Sequence, residues 1–291
     1  MRNNKTWRPY FLIAPTMISI GLFVIYPLFY LVQLSLWNTN LMNPAKNSFA
    51  GLKNYQNLFA RNDFWKVLGN TAVYTAAMVV LMLVLALLIA LWIQKNARFN
   101  AFVQACIFTP HIISILSVAI LWTWLLNSDQ GLFNSILKAL GLRPIKWLQS
   151  SNTAMVSIIM VSVWKSLGYY ALILISALKA IPVSIYEAAA LDNASRAKVF
   201  FKITLPMLSP QLFFVLIVLT ISSFKVFETV RVMTLGGPNN ATSTLVYYIY
   251  SNVFQTLRLG IAASAGVVLM VIVSLLTVVY FAFLSRRVYY Q

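Results

Sequence analysis

The sequence predicts an all-α membrane protein that crosses the bilayer about six times. Hydrophobic residues make up 60% of the 291 residues and charged residues only 9%. An ordinary soluble domain has about 45–50% apolar and about 25% charged residues. The chain also contains six long, nearly charge-free stretches, each able to supply the roughly 20 residues that a membrane helix needs. A bilayer is therefore the predicted solvent, and membrane lipid is a predicted partner.

The charge-free stretches define the predicted spans. The clearest is 76–93, which holds eighteen consecutive apolar residues. The first stretch is too long for a signal-peptide core and has no clear cleavage site, so we expect a retained signal anchor. A short N-terminal segment, 1–8, precedes a single transmembrane domain, 9–291. The predicted spans are 9–36, 72–94, 99–126, 153–179, 207–230 and 259–285.

The distribution of basic residues predicts the orientation. Six spans place both termini on one side of the membrane. Segments on the side of the N-terminus carry about twice the density of Lys and Arg found on the other side. Because basic residues concentrate on the inner side, we expect both termini and the loop 180–206 to be cytoplasmic.

Charge and composition exclude several classes of function. The net charge of +17 arises because the chain has only five acidic residues, and its basic residues are scattered, so nucleic acid is not a predicted partner. The single Cys106 and single His111 exclude a disulfide and the common metal sites. We expect no catalytic residues, metal or cofactor. No glycine precedes a lysine, so any ATP site would lie on another chain.

The loop 180–206 predicts a helix–turn–helix on the inner face. Ser184 and Glu187 have the S-x-x-E spacing of a capping box, and three alanines continue the helix. Asn193 can adopt the left-handed conformation that ends a helix. Ser195 would begin a second helix, and Pro206 would end or kink it.

Two interpretations of this loop remain open from its residues alone. It is either a solvated loop of good helix formers or a docking surface for a cytoplasmic partner. In the second case Tyr186, Leu191 and Phe200 would fill a groove of that partner. A DNA-reading role is disfavoured because the element is held at the membrane.

The same loop resembles the EAA loop of ABC importer permeases. The resemblance lies in Glu187-Ala188-Ala189, Asp192 and the ending Ile203-Thr204-Leu205-Pro206. Asn193 stands where that family usually has glycine. Further likeness, at 51–55 and 235–238, extends along the chain and is greatest to the maltose and glycerol-3-phosphate type of carbohydrate-uptake permease.

The resemblance implies a type I ABC importer permease in the bacterial cell membrane. Its expected partners are a second homologous permease, forming a heterodimer, two ABC ATPase subunits and an extracytoplasmic solute-binding protein. The chain would form half of the pathway for a sugar or similar polar solute, such as an oligosaccharide or glycerol 3-phosphate. It would couple to the separate ATPase through Tyr186, Glu187, Ala188, Ala189, Leu191, Asp192, Asn193 and Leu205.

Polar residues within the fourth and fifth spans are the candidate substrate-binding groups. Charges inside a span are costly and usually face a cavity or a partner. In similar permeases polar residues of these two helices line the substrate site. The candidates here are Ser162, Lys165, Ser166, Tyr169, Ser222, Ser223, Lys225 and Glu228.

Structural roles for these groups also stay open. Lys165 could snorkel or bind a structural partner, and Lys225 and Glu228 have the i,i+3 spacing of a local ion pair. Pro110 and His111 lie side by side in the third span, and the proline predicts a helix kink there. We expect the ring of His111 to bond the backbone carbonyl that the proline leaves without a partner. Hydroxyl groups suit a neutral sugar, whereas lysines suit a phosphate or acidic sugar.

The alternative function is that of an ion-coupled secondary solute carrier. Such carriers normally need carboxylates within the spans, and only Glu228 lies near one. A membrane enzyme is disfavoured by the single histidine, the single cysteine and the absence of a convincing acid pair.

Overall fold

The computed structural model describes residues 7–39, 47–95 and 97–284, and it is mainly helical, as predicted. Of the predicted N-terminal segment, residues 1–6 lie outside the described residues. Short strands β1 (Trp37–Asn38) and β2 (Ser48–Phe49) pair antiparallel. The helices are α1 Trp7–Ile20, α2 Tyr26–Ser35, α3 Lys53–Phe59, α4 Asn62–Ile93, α5 Arg98–Ile112, α6 Ile115–Leu125, α7 Leu132–Ala139, α8 Ala154–Ala180, α9 Val183–Leu191, α10 Arg196–Val199, α11 Leu205–Met207, α12 Ser209–Phe224, α13 Glu228–Met233, α14 Leu245–Phe254 and α15 Leu259–Val279, with π-helical segments at Gly21–Ile25, Phe200–Thr204 and Tyr280–Leu284.

Several helices of the described chain are long and apolar enough to cross a membrane. They coincide with five of the predicted spans, although α4 begins ten residues before the predicted start at residue 72. The extra residues include the charged Asp63 and Lys66 and the polar Asn70, so the apolar stretch alone did not include them. The matching helical stretches are Tyr10–Ser35, Asn62–Ile93, Ala154–Ala180, Ser209–Met233 and Leu259–Ala282.

The third predicted span, 99–126, is broken rather than straight. Helices α5 and α6 meet at an angle of 96°. Between them, Ile113 and Ser114 are extended, with ψ of 141° and 134°. Pro110 lies in the last turn of α5, where its ring removes a helix hydrogen bond. A kink was predicted beside Pro110, and the structure has a full break there because Ile113 and Ser114 leave the helical conformation.

One compact unit of the chain comprises residues up to Phe64 together with Tyr248–Val271. Here the amide of Asn54 donates to the carbonyls of Ser35 and Trp37 over 2.9 and 3.0 Å. The Asn54 amide lies so close to Gly260 that a Cβ there would be 2.6 Å from Nδ2. These bonds fix the end of α2, whose carbonyls have no partner within the helix.

The second unit comprises Trp65–Tyr247 and the residues from Ile272 onward. Its longest buried helix is α8, against which α5 lies. The two backbones approach so closely that a Cβ on Gly168 would overlap the carbonyl group of Ile107. Small residues at helix interfaces permit this kind of approach in membranes. Beside this pair, α6 and α13 pack around the buried ring of Trp122.

The loop that follows residues 235–238 is held to α4 by hydrogen bonds within this second unit. Lys66 Nζ donates to the carbonyl of Asn239 over 2.6 Å, and the Asn70 amide donates to the carbonyls of Asn240 and Ser243. Gly236 has a φ of 77°, and a Cβ there would lie 2.5 Å from the ring of Tyr247. The hydrogen bonds and this close contact bind the loop tightly within the second unit.

We expect Gly168→Ala to destabilise the protein by at least about 2 kcal/mol, because the new methyl group must displace the backbone of α5. Gly69→Ala is the matched control, since a Cβ on Gly69 would meet nothing within 4 Å. Alanine is the better helix former, so the control should be neutral or slightly stabilising. Thermal unfolding of the purified protein measures both. Equal midpoints for the two variants would contradict the close contact.

Candidate functional site

A cavity of about 190 Å³ lies between α4, α6, α8, α12 and the start of α13. Hydroxyl groups, two lysines and one glutamate face it alongside apolar side chains. The residues that line the cavity are Tyr74, Met78, Ile115, Ser162, Lys165, Ser166, Tyr170, Leu219, Ser222, Ser223, Lys225, Val226, Glu228 and Thr229.

The structure brings together seven of the eight residues predicted as substrate-binding. On α8 these are Ser162, Lys165 and Ser166, and the rest lie around the end of α12. Tyr169 is the exception. Its ring stacks on that of His111, with centroids 4.4 Å apart and planes inclined by 9°. Tyr170 lines the cavity in its place, because one residue along a helix rotates the side chain by about 100°.

Helix α4 also contributes to the cavity, and its residues were missed by the sequence analysis. Tyr74 and Met78 line the wall four residues apart, as neighbours on one helix face. The signal available was Tyr74 itself, a hydroxyl-bearing residue within a strongly apolar predicted span. Thr229 was also missed, and its Oγ1 is buried without a hydrogen-bond partner among the described residues.

The ammonium group of Lys165 is bound to backbone carbonyls at the break between α5 and α6. Its Nζ lies 3.3 Å from the carbonyl oxygen of Pro110, 3.1 Å from that of His111 and 2.8 Å from that of Ile113. The freed carbonyls therefore accept from Lys165, whereas the expected bond to the ring of His111 is not among the described contacts. Lys165 therefore has a structural partner, the backbone carbonyls at the break, and its ammonium group does not snorkel.

Lys225 and Glu228 are both exposed at the cavity. They form no ion pair with each other within the described ranges, so the expected local pairing is not observed. Lys225 instead lies at the C-terminal end of α12, and Glu228 lies in the first turn of α13. Each charge complements the helix dipole beside it.

The predicted coupling loop forms a second candidate surface, built on α9. The helix begins at Val183 with Pro182 as its N-cap, and no side chain provides the cap. The predicted capping box was wrong, because Ser184 lies inside the first turn and not before it. Ser184 and Glu187 are consequently exposed.

Asn193 ends α9 in the left-handed conformation, as predicted, with a φ of 49°. The amide of Asn193 donates to the carbonyl of Ala190, and that of Ala194 donates to Ala189. This pair of bonds is a Schellman motif, which satisfies the last carbonyls of a helix. Asn193 thus adopts the left-handed conformation for which the EAA loop of ABC importer permeases usually has glycine.

The helix that follows α9 begins directly after Ser195, as predicted. Ser195 caps α10 by accepting from the backbone amide of Lys198 at 3.3 Å. The helical path then continues through Phe200–Thr204 and α11 into α12, so Pro206 does not end it. A hydrogen bond of 3.2 Å between Tyr186 and Thr204 joins α9 to this path.

The other predicted coupling residues differ in exposure. Ala189 is buried, whereas Leu191 exposes 85% of its surface. Tyr186 and Leu205 are half-buried. The remaining members, all exposed, are Glu187, Ala188, Asp192 and Asn193.

Known proteins resemble the chain along nearly its whole length. The sequence model of the binding-protein-dependent transport system inner membrane component matches residues 82–290. The probable ABC transporter permease protein YurN of Bacillus subtilis is 33% identical over 277 residues, with 94% of each chain covered. The sn-glycerol-3-phosphate transport system permease protein UgpA of Escherichia coli is 35% identical over 291 residues, covering 99% of this chain and 97% of the relative.

Solved structures match the fold. A chain of a bacterial alginate ABC transporter, crystallised with an alginate pentasaccharide-bound periplasmic protein, superposes with a TM-score of 0.85 at 23% identity, covering 97% of this chain and 98% of that one. A chain of a bacterial ABC transporter involved in the import of the acidic polysaccharide alginate gives 0.82 at 26% identity, with 95% and 96% covered. The importer permease fold implied by the resemblance is confirmed.

We expect Asn193→Gly to leave the coupling loop intact and Asn193→Val to destabilise it by about 1–2 kcal/mol. Glycine adopts a positive φ without strain, whereas a β-branched residue does not. Protease nicking of the loop in the purified protein measures the difference. Asn240, which also has a positive φ, provides a control position in Asn240→Val, which should leave this loop unchanged. Equal nicking of the two Asn193 variants would contradict the left-handed cap.

Proposed function

The chain belongs to the family of binding-protein-dependent transport system inner membrane components, and from this premise we propose that it forms half of an ATP-driven pathway for a sugar or similar polar solute. Membership makes it a multi-pass membrane permease. The carbohydrate-type resemblance in its sequence is borne out by the relatives found. The observation that carries the proposal is the cavity within the membrane-spanning helices.

The lining of the cavity supports a polyhydroxylated solute. Hydrogen-bond donors and acceptors come from the hydroxyl groups of Ser162, Ser166, Ser222, Ser223 and Tyr170. Apolar surface comes from Met78 and Leu219. A sugar presents hydroxyl groups and an apolar ring face to these two kinds of group. The names of the relatives, which specify sn-glycerol 3-phosphate and alginate, support the same broad class.

The size of the cavity supports a second permease as a partner. Ligand pockets commonly have about 300–1,000 Å³, and the cavity of this chain has about 190 Å³. A homologous subunit facing it would complete the pathway, as a heterodimer. We place the termini and the coupling loop in the cytoplasm, and an extracytoplasmic binding protein delivers the solute from the other side.

The exposed helix α9 is our proposed contact with the ATPase. Leu191 and Val183 are large apolar side chains exposed at 85% and 68%, and Glu187 lies between them in sequence. Exposed apolar anchors on a helix are typical of a helix that docks in a groove. In this proposal two ATPase subunits, one for each permease, hydrolyse ATP, and this chain serves as the permease without a catalytic role.

Uptake in cells tests whether transport is driven by ATP. Radiolabelled maltose, sn-glycerol 3-phosphate and an alginate oligosaccharide are offered to cells that express the complete importer and to cells lacking this chain. We expect chain-dependent uptake of at least one probe to collapse when ATP is depleted while the ion gradients are maintained. Uptake that persists without ATP would favour an ion-coupled carrier and contradict the proposal.

We expect Glu187→Ala to lower solute-stimulated ATP turnover by about fivefold or more while the complex still assembles. Glu187 is exposed on α9 and supplies no cap, so its removal leaves the helix intact. Asp129→Ala is the matched control, since Asp129 is an exposed acid outside the coupling loop. ATP hydrolysis by reconstituted complexes measures both. Normal turnover in the Glu187 variant would remove this residue from the proposed contact.

A further inference from the structure

The break in the third span creates a local problem for the backbone. The last four carbonyls of any helix lack partners within it, and a bilayer offers no water to replace them. At the end of α5 the carbonyls of Pro110 and His111 belong to this group. Ile113, in the extended link, adds a third carbonyl beside them. These three oxygens converge on one point, which is occupied by the Nζ of Lys165.

The number of contacts matches the charged form of lysine. An ammonium group has three N–H donors and no acceptor, whereas a neutral amine has two donors and a lone pair. Three carbonyl oxygens at 2.8–3.3 Å therefore use every donor of an ammonium group. The negative end of the α5 dipole favours a cation at the same place.

Two further contacts on the same face of α8 hold α5 in register with Lys165. Gly168, three residues along, permits the backbone contact with Ile107. Tyr169, four residues along, stacks on His111. The three α8 residues lie on one helix face, as their spacing requires. Lys165 is thus one of three residues through which α8 contacts α5.

We infer that Lys165 is a positioning residue, the built-in cation of a carbonyl site at the broken third span, and that it is not the anion-binding group of the pathway. Its charge is matched by the carbonyls and by the helix end. Around the cavity the other charges are Lys225 and Glu228, which are opposite in sign. The consequence for the solute, which rests on the proposed function, is that Lys165 gives the pathway no preference for a phosphate or an acidic sugar.

Local hydrogen–deuterium exchange tests the structural role without any solute. In the purified complex, Lys165→Ala should speed exchange of a peptide covering residues 108–118 by on the order of tenfold, because the carbonyls lose their charged donor. Lys165→Arg should keep exchange near the wild-type rate. Lys225→Ala is the matched control, because this lysine lines the same cavity and its side chain makes no hydrogen bond in the described part of the chain. Wild-type exchange in Lys165→Ala would overturn the inference.

Chemical rescue separates a cation site from general loss of packing. Lys165 borders the cavity, so propylammonium can enter the space vacated in Lys165→Ala. We expect it to restore slow exchange, whereas tetramethylammonium, which has no N–H, should not. If Lys165→Ala yields no folded complex, recovery of the complex by expression of Lys165→Arg, but not of Lys165→Met, serves as the readout. Equal behaviour of the Arg and Met variants would overturn the inference.

A separate measurement tests whether Lys165 binds anions. Glucuronate and inorganic phosphate are added to the wild-type complex, and the thermal unfolding midpoint is followed. We expect no stabilisation that depends on Lys165. Arginine also binds anions, so a stabilisation by either anion that is lost in Lys165→Met and kept in Lys165→Arg would overturn this part of the inference. Neither outcome depends on ATP-driven uptake, so a failure here differs from a failure of the proposed function.

Discussion

The bilayer requires every backbone polar group to find its partner within the protein, and this constraint is most demanding where the third span breaks. A continuous helix meets it unaided, but the turn of 96° between α5 and α6 does not. The three carbonyls at the break bind the ammonium group of Lys165. That contact lies at the link from which α6 begins, and Ile115, the first residue of α6, lines the cavity beside Lys165.

Helix α8 consequently serves two surfaces. One face, with Lys165, Gly168 and Tyr169, holds α5 in place, and the neighbouring face presents Ser162 and Ser166 to the cavity. Because Lys165 lies at the border, its aliphatic stem and ammonium group belong to both surfaces. The shape of the pathway and the packing of the third span are therefore set by the same helix, and a change on one face affects the other.

Composition and short-range pattern were sufficient for the fold class, for five of the spans and for the left-handed end of α9 at Asn193. These features depend on neighbours along the chain. The kink beside Pro110 was also predicted from its neighbours along the chain. Its sharpness, the partners of Lys165 and the exchange of Tyr169 for Tyr170 could not be predicted, because they depend on which helices lie side by side. The capping box failed for a local reason: Pro182 is the N-cap, so the helix begins at Val183, one residue before Ser184.

The last backbone carbonyls of α5 and of α9 find their hydrogen-bond partners in different ways. At α5 the partner is a lysine of another helix, and at α9 it is the backbone that follows the helix. Helix α9 closes its own last carbonyls through Asn193, so its exposed face, with Leu191, remains free for a partner. From Thr204, which bonds Tyr186, the helical path runs through α12 to the cavity-lining Ser223, about 30 Å at the rise of a helix. In the proposed coupling, an ATPase would favour one state of the cavity only by the difference between its affinities for α9 in the two states.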